Sequence, residues 1–197
     1  MFKFEINTYW RNVDKNILFG FFILFFLGLF FSFSSTSSLA GERLNKAYYF
    51  YFSKHLVFTL LAFLIMFVIS ALETSLLKKI VIPLFTFFFI LLIFVPIIGI
   101  EVKGSKRWLD LYLFRLQPIE FLKPFFILTT VKILTLEKLK NSRIKYLFSF
   151  FLLSSVIILL IDQPDLGQSI LLTGSWIATV FVSGVSLTYI FSFFLIF

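Results

Sequence analysis

Long uncharged apolar segments recur along this sequence, and they constrain its fold more than any other feature. The first, residues 17–33, has no charged side chain, and a transmembrane helix needs about 20 mostly apolar residues. Over the whole chain 60% of the residues are hydrophobic and 14% are charged, whereas a soluble domain carries about 25% charged residues. The sequence therefore predicts an all-α fold, a polytopic membrane helical bundle.

Seven such segments are predicted to cross the membrane within one integral membrane domain, residues 1–197. They are 17–33, 56–72, 80–100, 121–136, 146–161, 170–182 and 185–197. Pro83 falls in the first turn of the third segment, where proline is tolerated, and Pro96 is expected to kink or end that helix. Loop charges are nearly balanced between the two sides, and they favour a cytoplasmic N-terminus when the basic residues of 104–123 are reserved for binding.

Composition excludes several kinds of site and partner. The chain has no cysteine, which rules out disulfides and thiolate catalysis, and His55 is its one histidine, so no histidine cluster can hold a metal. The net charge of +8 suits contact with anionic lipid headgroups. The basic residues are scattered between the predicted spans, which argues against a nucleic-acid partner.

Two polar blocks interrupt the apolar pattern, at residues 104–123 and 162–167, and each contains a Gln-Pro pair. Charge is costly near a bilayer and is rarely kept there without a partner or a function. Proline is preferred at the first helical position, and an acidic side chain such as Glu120 suits the first turn. Each Gln-Pro pair therefore predicts the start of a helix.

The residues between the third and fourth segments are predicted to form a short helix lying at the membrane interface. Over 106–116, the apolar Leu109, Tyr112, Leu113 and Leu116 share one helical face. Within the fourth segment, Lys132 is expected to extend its side chain to the inner membrane surface.

These polar residues predict an anion-binding site, because helix N-termini near a membrane interface bind anions well. The candidate substrate-binding residues are Lys106, Arg107, Trp108, Gln117, Glu120, Lys123 and Asp165. The same residues also fit a structural role, in which prolines start helices, tryptophan anchors the interface and Asp165 caps a helix. In the functional interpretation Asp165 instead pairs with a cation such as Lys123. The residues alone leave both interpretations open.

Three motifs together resemble the SEDS family (shape, elongation, division and sporulation), which includes the FtsW, RodA and SpoVE proteins. They are Gly104-Ser105-Lys106-Arg107-Trp108, Gln117-Pro118-Ile119-Glu120-Phe121-Leu122-Lys123 and Gln163-Pro164-Asp165-Leu166-Gly167. The sequence departs from the family pattern at Ile119, where a small residue such as serine is usual. The segments 34–38 and 51–56 resemble the cell-division branch, that of FtsW, and the RodA branch is the alternative.

The resemblance implies a peptidoglycan glycosyltransferase of cell division. Such enzymes polymerise lipid II, which is linked to undecaprenyl pyrophosphate, at the outer face of the bacterial cytoplasmic (inner) membrane. Arg107 and Lys123 would contact the pyrophosphate, with Glu120 and Asp165 organising them. The implied partners are a class B penicillin-binding protein and other divisome proteins at the septum. No cofactor is specified, although a divalent cation is compatible.

Two alternatives stay open beside that enzyme, a lipid II flippase or transporter and a non-catalytic divisome scaffold. Family members have about ten spans, and their proposed catalytic aspartate lies in an outer loop after the seventh. The resemblance thus implies that this chain is the N-terminal portion of a SEDS fold, with no catalytic residue before Phe197. We expect these 197 residues alone to be inactive.

Overall fold

The computed structural model describes residues 10, 13–36, 49–102, 104–112, 114–137 and 141–185. The chain forms two compact units, Met1–Glu73 and Thr74–Phe197. The first contains α1 (Lys15–Thr36) and α2 (Phe50–Ser70). The second contains, in chain order, α3 (Thr74–Ile98), β1 (Ile100–Val102), β2 (Ser105–Asp110), β3 (Arg115–Leu116), α4 (Pro118–Leu134), α5 (Ser142–Asp162) and α6 (Leu166–Val182).

Within the described ranges, four helices are long and apolar enough to cross a membrane, namely α1, α2, α3 and α5. The helix α6 is apolar but shorter, at 17 residues. The equally short α4 carries Glu120, Lys123 and Lys132. The prediction of an all-α, polytopic membrane protein is confirmed. The predicted seventh segment falls almost wholly outside the described residues, which end at 185.

In the first unit, α1 and α2 pack through phenylalanine rings. Phe63 of α2 contacts Phe22 and Phe25 of α1, with ring centroids 5.0 and 4.1 Å apart. The helix α1 begins after Asp14, whose carboxylate Oδ1 accepts hydrogen bonds from the backbone N–H groups of Asn16 and Ile17. This cap satisfies two of the amide groups that have no partner within the helix.

In the second unit, α4 is the central helix and packs against α3, α5 and α6. The buried apolar core is formed by Phe85, Leu92, Ile119, Leu122, Phe126, Leu153, Val156, Leu160, Leu172, Trp176 and Val180. One polar contact joins α5 to α6 inside this core, where Trp176 Nε1 donates to Ser149 Oγ over 3.3 Å. A buried indole N–H needs such an acceptor, because a buried donor without a hydrogen bond costs free energy.

The helix α3 starts earlier than the sequence predicted. It begins at Thr74, so Pro83 lies in its interior and the prediction of a first-turn proline is wrong. Lysine is a good helix former and can extend its charge towards water, so Lys78 and Lys79 do not end the helix. The expectation for Pro96 is confirmed, since the helix ends two residues later at Ile98.

Pro96 also leaves a backbone acceptor without its usual partner. In a regular helix the carbonyl of Leu92 would accept from the N–H of residue 96, which proline lacks. Leu92 is fully buried, and the side chain of Gln163 supplies the missing donor, with Nε2 at 3.4 Å from the Leu92 oxygen. Gln163 is itself 2% exposed. The glutamine of the second Gln-Pro pair thus compensates for the proline of a different helix.

The predicted interfacial helix over residues 106–116 is wrong. These residues form β2 and β3 of a small antiparallel sheet with the strand order β1-β2-β3. A helix of about 11 residues is marginal by itself. Gly104, with φ of +79°, instead closes a tight turn between the paired residues Val102 and Ser105.

The role of Gln163 yields a test of stability. Gln163→Leu should lower the free energy of unfolding by about 1–3 kcal/mol, because the buried Leu92 carbonyl loses its donor. In a Pro96→Ala background the restored N–H can serve that carbonyl, so the loss should shrink. The measurement is unfolding of the purified chain in detergent micelles for the four members of the double-mutant cycle.

Gln117→Leu is the matched control, since Gln117 precedes the other Gln-Pro proline and its side chain makes no capping hydrogen bond. We expect this change to stay within about 0.5 kcal/mol of the parent chain. An equal loss from Gln163→Leu with and without Pro96 would show that the two residues are not coupled.

Candidate functional site

The predicted site residues lie at one end of the second unit, where α3 and α5 end and α4 and α6 begin. The first helix start is confirmed, because α4 begins at Pro118 with Gln117 as its N-cap and Glu120 in its first turn. The second start is displaced by two residues. Gln163 and Pro164 form the turn after α5, and α6 begins at Leu166.

Arg107 ties the sheet to the α5–α6 turn. Its Nε donates to the carbonyl oxygen of Gln163 over 3.3 Å, and its Nη2 donates to the carbonyl oxygen of Pro164. The same Nε lies 3.6 Å from the carboxylate Oδ2 of Asp165. One guanidinium group therefore holds three consecutive residues of the turn, which its rigid planar donor fork suits.

Asp165 is the buried anion of the site, with 6% of its surface exposed. Its side chain occupies the N-cap position of α6 but makes no capping hydrogen bond. The expected helix cap is therefore wrong. The expected pairing of Asp165 with a cation is confirmed, but the partner is Arg107 and not Lys123. The backbone carbonyl of Asp165 accepts instead from the N–H and Oγ of Ser169.

Lys123 belongs to a second polar group that connects α4 to α6. Its Nζ lies 2.8 Å from Oε2 of Glu120, one turn earlier on the same helix. It also donates to Oε1 of Gln168 over 3.0 Å, while Nε2 of Gln168 donates to Oε1 of Glu120 over 2.7 Å. These three side chains, Glu120, Lys123 and Gln168, are called the amide-bridged triad below.

The remaining candidates are less engaged. Lys106 is exposed, and its Nζ lies 3.5 Å from the carbonyl oxygen of Pro96. Trp108 and Gln117 are half-buried. Lys132 lies towards the other end of α4, where Nζ donates to the carbonyl of Lys78 over 2.7 Å. The structure thus brings together Arg107 with Asp165 and Glu120 with Lys123, while Lys106, Trp108 and Gln117 join neither pair.

Sequence reasoning omitted two glutamines from the site, Gln163 and Gln168. A signal for Gln168 was present, because a polar side chain three residues after Asp165 falls in the first turn of the next helix. The role of Gln163 was hidden, since it depends on Pro96 in a helix distant in sequence.

Each of the two cations, Arg107 and Lys123, pairs with a carboxylate but keeps N–H donors available for a ligand. An ammonium group has three N–H donors and a guanidinium five, and Lys123 uses two of its three in the triad. Arg107 keeps 33% of its side-chain surface exposed. Within the described ranges no group of three or more His, Asp or Glu side chains could hold a metal. The divalent cation therefore stays a prediction.

The helices and the site define a class, a polytopic helical membrane protein with a charged site where two helices begin. The sequence profile of the cell cycle proteins FtsW/RodA/SpoVE matches residues 14–197 of this chain. This chain belongs to the FtsW/RodA/SpoVE family, as the three motifs had suggested.

Two similar curated proteins are each named probable peptidoglycan glycosyltransferase FtsW. The protein from Wigglesworthia glossinidia brevipalpis is 32% identical in an alignment of 192 residues that covers 89% of this chain and 49% of the relative. The protein from Caulobacter vibrioides is 30% identical over 187 residues, covering 94% of this chain and 47% of the relative. The chain thus spans about half the length of the curated relatives it matches.

Two solved structures are similar in fold. A chain from a study of how a peptidoglycan synthase complex coordinates polymerization and crosslinking is 25% identical, with a TM-score of 0.71 over 90% of this chain and 52% of that one. The rod shape determining protein RodA of Thermus thermophilus is also 25% identical, with a TM-score of 0.59 over 86% of this chain and 58% of that one.

The Arg107–Asp165 pair yields a second stability prediction. Arg107→Leu should lower the free energy of unfolding by about 1–3 kcal/mol, because it leaves a buried carboxylate without its cation. Adding Asp165→Asn to that variant should recover part of the loss, since the stranded charge disappears. Chemical unfolding in detergent micelles measures both changes.

Lys106→Leu is the control for this pair, because it removes a neighbouring cation that is exposed and unpaired with any described carboxylate. It should change the unfolding free energy by less than about 0.5 kcal/mol. Equal losses for Arg107→Leu and Lys106→Leu would contradict a specific role for the ion pair.

Proposed function

We propose that this site binds the pyrophosphate of lipid II, and that the protein to which this chain belongs is a peptidoglycan glycosyltransferase of cell division. One observation carries the proposal. Two cationic side chains, Arg107 and Lys123, are held by defined partners at the end of the second unit where two helices begin, and both keep N–H donors available. The names of the curated relatives give the reaction class.

Electrostatics supports an anionic ligand. The first turns of α4 and α6 carry the partial positive charge of their helix dipoles, which favours phosphate oxygens. Asp165 and Glu120 offset that charge when no ligand is present, so the site need not hold bare cations beside a membrane. A pyrophosphate would add charge-assisted hydrogen bonds from the remaining donors.

The lipid portion and the location follow from the same proposal. A polyprenyl chain would lie in the bilayer beside the apolar helices, while its pyrophosphate reached the start of α4 and α6 at the membrane surface. We place this surface at the outer face of the cytoplasmic membrane, at the division septum. The related structure from a peptidoglycan synthase complex supports a class B penicillin-binding protein as partner, with other divisome proteins around it.

Binding of lipid II to the purified chain in nanodiscs tests the proposal. Lys123→Gln should weaken binding by roughly tenfold or more, because a charge-assisted hydrogen bond contributes about 1.5–3 kcal/mol. Lys145→Gln is the matched control, with the same change of charge in the first turn of α5, and it should leave the affinity unchanged. Fluorescence of a labelled lipid II reports the dissociation constants.

Unchanged affinity in Lys123→Gln would contradict the proposed pyrophosphate contact and favour the divisome scaffold. Proteoliposomes separate the remaining alternative, since a lipid II flippase would carry labelled lipid between leaflets and a polymerase would not. If labelled lipid II crosses the bilayer, and Lys123→Gln abolishes this translocation, the flippase hypothesis would be favoured over the polymerase hypothesis.

A further inference from the structure

Gln168 lies where it can control the position of Lys123. Its side-chain amide connects both members of an ion pair on α4 from a neighbouring helix, with contacts of 2.7 Å to Glu120 and 3.0 Å to Lys123. An amide suits this role because it offers a donor and an acceptor on one rigid group. Neither leucine nor a single charged group could satisfy both partners.

The ion pair alone would hold Lys123 only loosely. Glu120 and Lys123 are three residues apart on a helix surface, and such exposed pairs contribute little to stability. Side-chain exposure is 45% for Glu120 and 19% for Lys123. The second contact of the ammonium, with Gln168 of α6, is therefore what fixes it between the first turns of the two helices.

We propose that Gln168 is a positioning residue, which holds Lys123 in place for a pyrophosphate ligand through the amide-bridged triad. This rests on the proposed function, because it names a further residue of the same site. A preorganised side chain avoids the cost of being immobilised on binding, about 0.5–1.5 kcal/mol for a flexible chain. Gln168 acts through Lys123 and Glu120, with no need for its own contact to the ligand.

Substitution at position 168 tests the role directly. Gln168→Leu keeps a similar volume but removes both hydrogen bonds, and it should weaken lipid II binding by about three- to tenfold. Gln168→Glu should weaken it further, because a second carboxylate competes with phosphate for Lys123 and repels Glu120. Both affinities are measured in nanodiscs beside the parent chain.

Exchanging the carboxylate of Glu120 with the amide of Gln168 distinguishes a role of Gln168 in positioning Lys123 from a role in packing. The double variant Glu120→Gln with Gln168→Glu moves the carboxylate from α4 to α6 while keeping the total charge and the types of contact to Lys123. We expect its affinity to return to within about threefold of the parent, well above that of Gln168→Glu. A double variant no better than Gln168→Glu would overturn the positioning role.

A ligand-free measurement distinguishes failure of this inference from failure of the proposed function. Acylation of Lys123 by an amine-reactive reagent, followed by mass spectrometry, should speed up several-fold in Gln168→Leu, with Lys145 as the internal reference. Faster labelling in a chain that never binds lipid II would retain the positioning role and refute the proposed ligand. Unchanged labelling together with unchanged lipid II affinity would refute the role of Gln168 alone.

Discussion

The guanidinium of Arg107 holds the turn between α5 and α6, and the geometry of the whole polar site depends on that contact. It donates to the carbonyl oxygens of Gln163 and Pro164 and pairs with the buried carboxylate of Asp165. Because the turn is fixed against the sheet, α6 begins at a defined place beside α4. Without Arg107 the buried carboxylate of Asp165 would lose its cation, and the turn before α6 would lose its contacts with the sheet.

The same turn also stabilises α3 at Pro96, where the proline removes a backbone donor inside the apolar core. Pro96 removes a donor from α3, and an unsatisfied buried carbonyl is costly where no water can reach it. Gln163 satisfies that carbonyl with its side chain, while its backbone carbonyl accepts from Arg107. One residue thus connects the helix end, the turn and the strand that carries the guanidinium.

Much of the fold could be predicted from the sequence, because apolar segment length is a strong local signal. The start of α4 was predicted for the right reason, since Pro118 and Glu120 act within a single turn. The sheet was missed because the apolar side chains of 106–116 also fit a helical face, and pairing with β1 is a contact outside the segment. The pairing of Asp165 with Arg107 instead of Lys123 likewise depends on tertiary placement.

In the candidate site, too, local features could be predicted from the sequence, whereas contacts between helices could not. The motifs identified all four residues of the two ion pairs. They could not reveal which cation pairs with which carboxylate, because that depends on how the helices pack. The sequence places Gln168 in the first turn of a helix, but its two partners on α4 are known only from the structure. Hydrogen-bond partners across helices are the information that a single sequence conceals.

The central claim is that lipid pyrophosphate meets Arg107 and Lys123 together. Solid-state NMR measures this most directly, by dephasing between the phosphorus of bound lipid II and ¹⁵N-labelled arginine and lysine side chains. Charge-assisted contacts predict nitrogen–phosphorus distances of about 4 Å for one lysine and one arginine, with the lysine signal lost in Lys123→Gln. Bound lipid II whose phosphorus dephases neither side chain would contradict the account.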